Sequence, residues 1–427
     1  VNAPAAPPPR RILLADADAF FVAVARQVDP EGAGRAPLLI VGGRPGSRGV
    51  VCSASYECRA YGVRSAMPLA RALRLCPDAL CVPVPRQACT ERSRAIRAVL
   101  ARFLPVVQAA SIDEWYGDLT GTEALYGHAP LAAVAHRVRA AVLAETGLAV
   151  SIGGGTSRLV AKMAGERAKP RGAVGGDGVH CVPPGGEAQF LGEFRLAELP
   201  GVGPALAGQL AAMGLVTVRE AQQCPAGTLE RRLGARAGAW LAQRVWGVDP
   251  TPVVAGAPAK QVSRETTFAH DLADREAQER ELLALAVRAS ADLRQAGREA
   301  RTVTVKVRDH HFHTRTAQRT LRTPVSSEGA VLRVARLLFR QLHPPGGAPL
   351  RLVGVALSHF DRGPEGPRQL GLFAPQAEAA TEPALESDRD RALTAAMDRI
   401  RARFGADAIL PAPLVAPHDA VGPRVEE

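Results

Sequence analysis

The sequence predicts a multidomain α+β protein, and three observations carry that prediction. At 427 residues the chain has room for about two to four domains of roughly 100–200 residues each. Short apolar runs that end at glycines or acids alternate with longer stretches of helical spacing, so strands and helices are mixed along the chain. Gly and Pro cluster at Arg171–Gly186 and again at Thr251–Pro258, and such breaks in composition mark boundaries.

The elements follow in order. After a Pro/Ala-rich leader, Arg11–Ala15 (RILLA) is an apolar run ending at acids, the pattern of a buried strand. Leu38–Val41 and Gly49–Ala54 read as two further strands around a turn at Arg44–Ser47. Glu91–Leu104 spaces Ile96, Val99, Leu100 and Phe103 as a helix would and stops before Pro105. Val106–Ala110 is a strand leading into Ser111-Ile112-Asp113-Glu114. Leu131–Glu145 is an Ala-rich amphipathic helix, and Ala149–Ile152 a strand before a glycine turn. Residues 187–248 are helical and enclose Leu199–Pro204 (LPGVGP). From Val262 a small α/β module is expected: a helix at Ala277–Ala296, an alternating strand at Arg301–Arg308, a strand around Arg319–Arg322, a helix at Ser327–Leu342 and a strand at Leu350–Ser358. Past Asp361 the chain turns to Pro, Gly, Ala and acids, with a last amphipathic segment at Asp388–Phe404. No internal repeat is visible.

A formal charge of +11 and a pI near 9.9 make an acidic, extended partner such as nucleic acid a leading candidate. That argument is weakened by composition. Only Lys162, Lys169, Lys260 and Lys306 are lysines, leaving 49 arginines among 53 basic residues in a chain crowded with Ala, Gly and Pro, which looks like coding bias. No run approaches the roughly 18 apolar residues of a membrane helix, and Val1–Arg11 lacks the apolar core of a signal peptide. A soluble, cytoplasmic protein with no membrane partner is therefore expected. Seven cysteines (Cys52, Cys58, Cys76, Cys81, Cys89, Cys181, Cys224), odd in number and without C-x-x-C, argue against a disulfide scaffold and a zinc site. They read as buried thiols of a reducing compartment.

The sharpest chemical feature is Asp16-x-Asp18 at one strand end and Asp113-Glu114 at another. Carboxylates at adjacent strand ends are hard oxygen ligands that suit Mg²⁺, and two such ions about 3.5–4 Å apart can serve phosphoryl transfer. Either pair alone is as readily a turn or a helix cap. Their surroundings decide the matter. DADAFF runs from Asp16, ASYECR from Ala54, YGVRSAMP from Tyr61, SIDEWYGDLTG from Ser111 and AKMAGERAKPRG from Ala161. In this order and spacing the chain resembles the Y-family DNA polymerases, most nearly their bacterial DinB branch, over about residues 11–373.

The resemblance implies a right-hand architecture. Residues 10–24 and 80–173 would form the palm, 25–79 small fingers, 174–248 a helical thumb with a helix-hairpin-helix, 249–258 a linker and 259–362 an α/β little finger. Residues 363–427 would be a flexible tail. It further implies that Asp16, Asp113, Glu114 and the Ala17 backbone carbonyl hold two Mg²⁺ ions, with Asp18 in a secondary role. Phe21, beside Phe20, matches the steric gate that excludes a ribose 2′-OH; without its motif it would read as an ordinary core Phe. Tyr56, Arg59 and Lys169 match the triphosphate contacts of the dNTP, whose leaving pyrophosphate needs its charge neutralised. Two of the four lysines, Lys162 and Lys169, fall in this one stretch. The sequence departs from the family pattern at Ala25, Trp115, Gly117 and Ser157-Arg158, which puts local packing and template contacts in doubt.

Residues expected to hold primer-template DNA are spread further along. Gly201 and Gly203 in the LPGVGP turn would let backbone N–H groups approach a phosphate, though a Gly-rich helix connector explains the same residues. Arg301–Arg351 holds ten Arg/Lys against Asp309 and Glu328, a net of +8. Alternation places Thr304, Lys306 and Arg308 on one strand face and valines on the other, and Arg301 and Arg322 are further candidates for DNA contact. A solvated strand face is the plain alternative. His310-His311-Phe312-His313 reads as a DNA-facing strand end rather than a metal site. Gln369-Leu370-Gly371-Leu372-Phe373 resembles the pentapeptide that binds the bacterial sliding clamp, with Gln369, Leu370, Leu372 and Phe373 as anchors; an apolar pair packed on its own chain is the alternative.

The implied function is a DNA-dependent DNA polymerase, expected as a monomer associated with the nucleoid, of low fidelity and without proofreading, that copies past damaged template. Two rivals stand beside it. One is a non-catalytic relative acting as an accessory or scaffold in a mutagenic complex, which would be expected to lose the acids. The other is a nuclease or different nucleotidyltransferase, which the Phe21, Tyr56 and Arg59 context opposes.

Overall fold

The computed structural model describes residues 9–44, 48–170, 177–256, 258–362, 385–405 and 407–415. They fall into two compact units, Val1–Ala257 and Pro258–Glu427. None of the described helices is long and apolar enough to cross a membrane.

The first unit is built on a five-stranded sheet made of β1 (Ile12–Ala17), β5 (Val106–Ala109), β6 (Glu114–Asp118), β7 (Val150–Gly155) and β8 (Val179–Cys181), in the order β5-β6-β1-β7-β8. Pairings are antiparallel except β7 with β8. Alternate side chains serve different sides. Leu13, Ala15, Ala17, Trp115 and Ile152 enter the core built with helices α1 (Phe20–Val28), α4 (Arg86–Phe103) and α5 (Leu131–Thr146). Ile12, Leu14 and Tyr116 instead pack with Ala161 of α6 (Arg158–Ala168) and with Val253.

Two of the sequence's departures pack against this core. Trp115 is fully buried, and Gly117 leaves space for Leu104, whose Cδ1 would lie 2.5 Å from an added Cβ. The predicted glycine turn after Ile152 does not occur. Gly153–Gly155 continue β7 because α6 lies directly on them: a Cβ on Gly153 would be 2.0 Å from the Ala161 carbonyl oxygen. Helix α4 also begins five residues earlier than the apolar spacing predicts. Cys89 is buried in its first turn, and Pro85 ahead of it costs no helical hydrogen bond.

A small three-stranded sheet of β2 (Leu39–Gly42), β3 (Val51–Ala54) and β4 (Leu80–Pro83), in the order β3-β2-β4, carries α2 (Tyr56–Ala60) and α3 (Leu69–Leu75). Its other face meets α1 through Leu39 and Val41. The segment that follows the five-stranded sheet holds α7 (Glu187–Leu191), α8 (Pro204–Ala212), α9 (Val218–Gln222), α10 (Thr228–Leu233) and α11 (Ala235–Arg244) around one core. Residues 251–254 read as linker in the sequence, yet they lie on the first unit. Val253 is buried, Gln108 Oε1 accepts from Val254 N at 3.0 Å, and Arg158 donates to Pro252 O at 3.3 Å.

The second unit is a four-stranded antiparallel sheet, β11-β10-β12-β9, of β9 (Gln261–Leu272), β10 (Arg298–Asp309), β11 (Thr314–Val325) and β12 (Leu350–Arg362). Helices α12 (Arg275–Gln295) and α13 (Glu328–Leu342) cover one face, sealing Val303, Val305, Val307, Val353 and Val355. Two β-α-β crossings interleave, so the expected α/β module is an antiparallel α+β layer pair. Strand β9 escapes sequence reading because half of its residues are exposed, one alone is buried, and it lacks a buried alternation. The last helix, α14 (Asp388–Phe404), is tied to this unit by Arg294 to Asp398, Arg401 to Glu328 and Arg391 to Glu299. Cys58, Cys76 and Cys89 are buried as expected. Cys52, however, faces solvent from β3, and Cys81, Cys181 and Cys224 are half-buried; all seven are free thiols.

Candidate active site

Register brings the first carboxylates together. Asp16, near the C-terminal end of β1, is the cross-strand partner of Glu114 at the start of β6, and on its other side it faces Ser151 of β7. The Ala17 N–H donates to the Asp113 carbonyl at 2.9 Å, so the turn that carries Asp113 is fastened to the end of β1. Between strand and helix, Ala19 takes the left-handed backbone conformation at φ 44°, uncommon for a residue with a Cβ, and the chain passes from Asp16 into α1 in a very short turn.

Two lysines, one on α6 and one just past its end, hold two of these acids. Lys162 of α6 donates to both Glu114 oxygens, at 2.7 and 2.8 Å. Lys169, just past the end of α6, lies 2.9 Å from Asp16 Oδ2 and 2.7 Å from Glu166 Oε1. Asp113 accepts a short hydrogen bond from Ser111 Oγ. Asp18 accepts from Ser151 Oγ at 2.7 Å.

Burial, opposed in part by the Lys169 ammonium, pushes the Asp16 carboxyl up to about 7. Burial also raises Asp18. Burial pulls the Lys162 ammonium down, but the hydrogen bond and charge of Glu114 outweigh it and hold the group above its ordinary range. Lys169 is held up in the same way by Asp16 and Glu166.

The residues expected around a nucleotide gather here. Arg59 lies over the Tyr56 ring with its Cζ 4.7 Å from the centroid, and its Nε donates to Ala54 O at 3.0 Å. Burial and the Asp18 charge raise the Tyr56 hydroxyl, while Arg59 and Lys169 oppose them, so Tyr56, Arg59, Asp18 and Lys169 share one electrostatic neighbourhood. Phe20 is buried, and Phe21 is half-buried at the junction of two cores, with its ring 5.6 Å from Phe20 in an edge-on contact.

The donor set suits a hard divalent cation. It consists of carboxylate oxygens, and Asp16 and Glu114 each already hold a cationic ammonium. Among the described residues no three His, Cys, Asp or Glu side chains converge on one point, and Asp113 is engaged by Ser111. The role of Lys162 as partner of Glu114 is absent from the sequence reading. The only signal for it there is the scarcity of lysine. The departure Ser157-Arg158 also acquires a structural account: Ser157 caps α6 by accepting from Val160 N and donates to Gly247 O at 2.8 Å, and Arg158 stacks on Tyr116 with its Cζ at 4.3 Å.

The expected DNA-holding residues lie in both units. Gly201 has φ +98° and a Cβ there would meet the Trp240 ring at 2.7 Å, whereas Gly203 opens onto space ahead of α8. The segment before this turn is α7 and a single 3₁₀ turn at Leu196–Glu198. In the second unit Thr304, Lys306 and Arg308 do alternate with buried valines. Lys306 nonetheless pairs with Glu265 at 2.8 Å and Arg301 with Asp361 at 2.6 Å, while Arg308 donates to Thr314 Oγ1 at 2.7 Å and Arg322 is exposed. The +8 of this stretch is also divided, since Arg333, Arg336 and Arg340 ride on α13, which covers the opposite face. The histidines form the β10–β11 turn, where Asp309 accepts from the backbone of His311 and His313. Gln369, Leu370, Leu372 and Phe373 lie outside the described residues.

Comparison with known proteins agrees with this arrangement. Residues 15–166 match the model of the impB/mucB/samB family, 259–372 that family's C-terminal domain, and 197–249 the thumb domain described for DNA polymerase-iota. The DNA polymerase IV of Dehalococcoides mccartyi is 37% identical over 397 residues, 93% of this chain and 95% of the relative. That of Gluconobacter oxydans is 37% identical over 353 residues, 82% of this chain and 95% of the relative. Among solved structures, a Y-family DNA polymerase chimera of Dbh and Dpo4 has the same fold at a TM-score of 0.70 and 21% identity, covering 82% of this chain and 98% of its own. With its paired acids, its lysine-bearing helix and these matches along nearly its whole length, the chain belongs to the Y-family DNA polymerases, in the impB/mucB/samB family.

Proposed function

We propose that the chain is a DNA-directed DNA polymerase of translesion synthesis, which adds deoxynucleotides to a primer 3′-OH with low fidelity and without proofreading. The observation that carries the reading is the pairing of Asp16 with Glu114 across β1 and β6, with Asp113 fastened alongside and Lys169, Tyr56 and Arg59 in the same electrostatic field. Asp16, Asp113, Glu114 and the Ala17 carbonyl would hold two Mg²⁺ ions. When bound, these supply an activated attacking hydroxyl and charge neutralisation on the triphosphate.

The chain's own residues do the rest. Lys169, Arg59 and the Tyr56 hydroxyl receive the triphosphate, fixed donors aimed where negative charge grows on the leaving pyrophosphate. Phe21, wedged between two cores and backed by Phe20, keeps its ring in place against a ribose 2′-OH. Gly201 and Gly203 of the thumb and the open face of the second unit, with Lys306, Arg308, Arg301 and Arg322, track the primer-template backbone. The palm, fingers, thumb and little-finger divisions given above describe the working parts, and residues 369–373 recruit the sliding clamp to a monomeric enzyme in the cytoplasm.

Primer extension tests the reading. Asp113→Ala with Glu114→Ala is expected to lower extension by at least about 1,000-fold while primer-template affinity stays within about threefold. Undiminished extension would remove the assignment. In the same assay the ratio of ribonucleotide to deoxynucleotide insertion reports on Phe21, and stimulation by added clamp reports on Leu372 and Phe373.

A further inference from the structure

On the other side of Glu114 from the triphosphate residues lies a cavity of about 220 Å³, lined by Tyr116, Arg158, Lys162, Pro200, Arg244 and Asp249 among others. Its wall carries three cations and one acid. Arg244 and Asp249 close on each other at 2.6 Å, and both are largely buried. Arg158 is different. Its guanidinium lies over the Tyr116 ring with its Cζ 4.3 Å from the centroid, and it hydrogen-bonds to neutral groups, among them Gln108 Oε1 at 3.2 Å and Pro252 O at 3.3 Å, and forms no ion pair among the described residues. Lys162 stands on the boundary, lining the cavity while it donates to both oxygens of Glu114. With Arg244 engaged by Asp249 and Lys162 by Glu114, Arg158 is the wall cation left without an acid among the described residues, and it suits an anion.

Geometry says which one. Arg158 and Lys162 are four residues apart on α6, so they share a face and are separated by about 6 Å along the helix. Lys169, with Asp16, Tyr56 and Arg59, lies beyond the other end of that helix. If the primer 3′-OH sits at the carboxylates and the triphosphate at Lys169, the strand that ends in that hydroxyl must leave toward Lys162 and Arg158. Every nucleotide of that strand brings a phosphodiester.

We propose that this cavity seats a backbone phosphate of the primer strand close to its 3′ end, and that Lys162 is shared between that phosphate and Glu114. In the DNA-free protein the ammonium neutralises Glu114. With the primer seated it turns to the phosphate and exposes both Glu114 oxygens to a divalent cation, so primer and cation favour each other's binding. The inference rests on the polymerase reading and adds a specific anion site and a coupling to it.

The test uses the full chain with primer-templates that carry a single neutral methylphosphonate at successive primer positions, read by fluorescence anisotropy in Ca²⁺. One position near the 3′ end is expected to weaken wild-type binding about fivefold to tenfold. Arg158→Gln should weaken binding of the unmodified DNA by a similar factor and erase the penalty at that position, and Arg158→Lys should restore part of it. Thermal melts of both variants confirm folding. A second arm follows free Mn²⁺ by EPR without DNA, where Lys162→Gln should bind Mn²⁺ several-fold more tightly than wild type.

Positional penalties that are the same in wild type and Arg158→Gln would overturn the phosphate site, as would sensitivity confined to the template strand. Unchanged Mn²⁺ affinity in Lys162→Gln would overturn the shared lysine. If the wild-type chain neither bound nor extended primer-template, the polymerase reading would fail with it, and unmodified DNA run in parallel distinguishes that outcome.

Discussion

The lysine–carboxylate pairs of the five-stranded sheet and those of the second unit have the same contact distances and different surroundings. Lys162 to Glu114 and Lys169 to Asp16 measure 2.7 and 2.9 Å, and Lys306 to Glu265 measures 2.8 Å. The Asp16 side chain is 11% exposed, and that of Glu265 is 50% exposed. In the second setting water and salt compete with the lysine, and such pairs are worth about 0–1 kcal/mol. In the first, the carboxylates have given up most of their water and depend on a cation being present, whether ammonium or metal. Contact distance alone therefore does not separate a pair that depends on its cation from a solvated surface pair; burial does.

The comparison can be broken most sharply at Lys169. Lys169→Ala removes both the cation beside Asp16 and the proposed triphosphate donor, and primer extension should fall by about 100-fold or more, measured as single-turnover insertion, with DNA affinity little changed. Loss of less than threefold would put the two regions on the same footing.

A smaller effect is expected from pH in metal-free protein. The folded-state carboxyl of Asp16 titrates near 7 against an ordinary 3.8, so its protonated form favours folding at low pH and that contribution is lost as pH rises from about 4 to about 7. Chemical denaturation in EDTA should show this loss in wild type, on the order of 1–4 kcal/mol, and Asp16→Asn should lack it. Equal pH profiles would contradict the burial argument.

The smallest effect belongs to the second unit. Lys306→Glu with Arg308→Glu should weaken primer-template binding and reduce the slope of log K against log salt by up to about 2. Stability should change little. Because Lys306 is already engaged by Glu265, Arg308→Glu alone should account for more of the loss than Lys306→Glu alone.

Much of the grouping of the candidate site was legible because its residues are local in sequence: Asp16 and Asp18, Asp113 and Glu114, and Lys162 and Lys169 sit in short motifs. The valine alternation of β10 was legible for the same kind of reason, since period two puts one side of a strand in a core. What escaped depends on partners far along the chain. The ion pair of Lys306 joins residues 41 apart, and that of Lys162 joins residues 48 apart. Strand β9 offers no buried stripe, and the glycines of β7 look like a turn until a helix is laid on them. The charge count of Arg301–Arg351 was right as arithmetic. It missed that a helix can carry part of that charge away from the face it was assigned to.

The contact between Gly153 and α6 acts as a mechanical reference surface. With no side chain between the strand backbone and the Ala161 carbonyl, the helix is seated on a hard stop rather than on a layer of adjustable methyl groups. Arg158, Lys162 and Glu166 ride on that one helix and Lys169 follows directly after it, so their heights above the carboxylates are set by a single clearance rather than by separate adjustments. A methyl group added at that point would lift the whole row together, so an error there would be shared by every charge the helix carries.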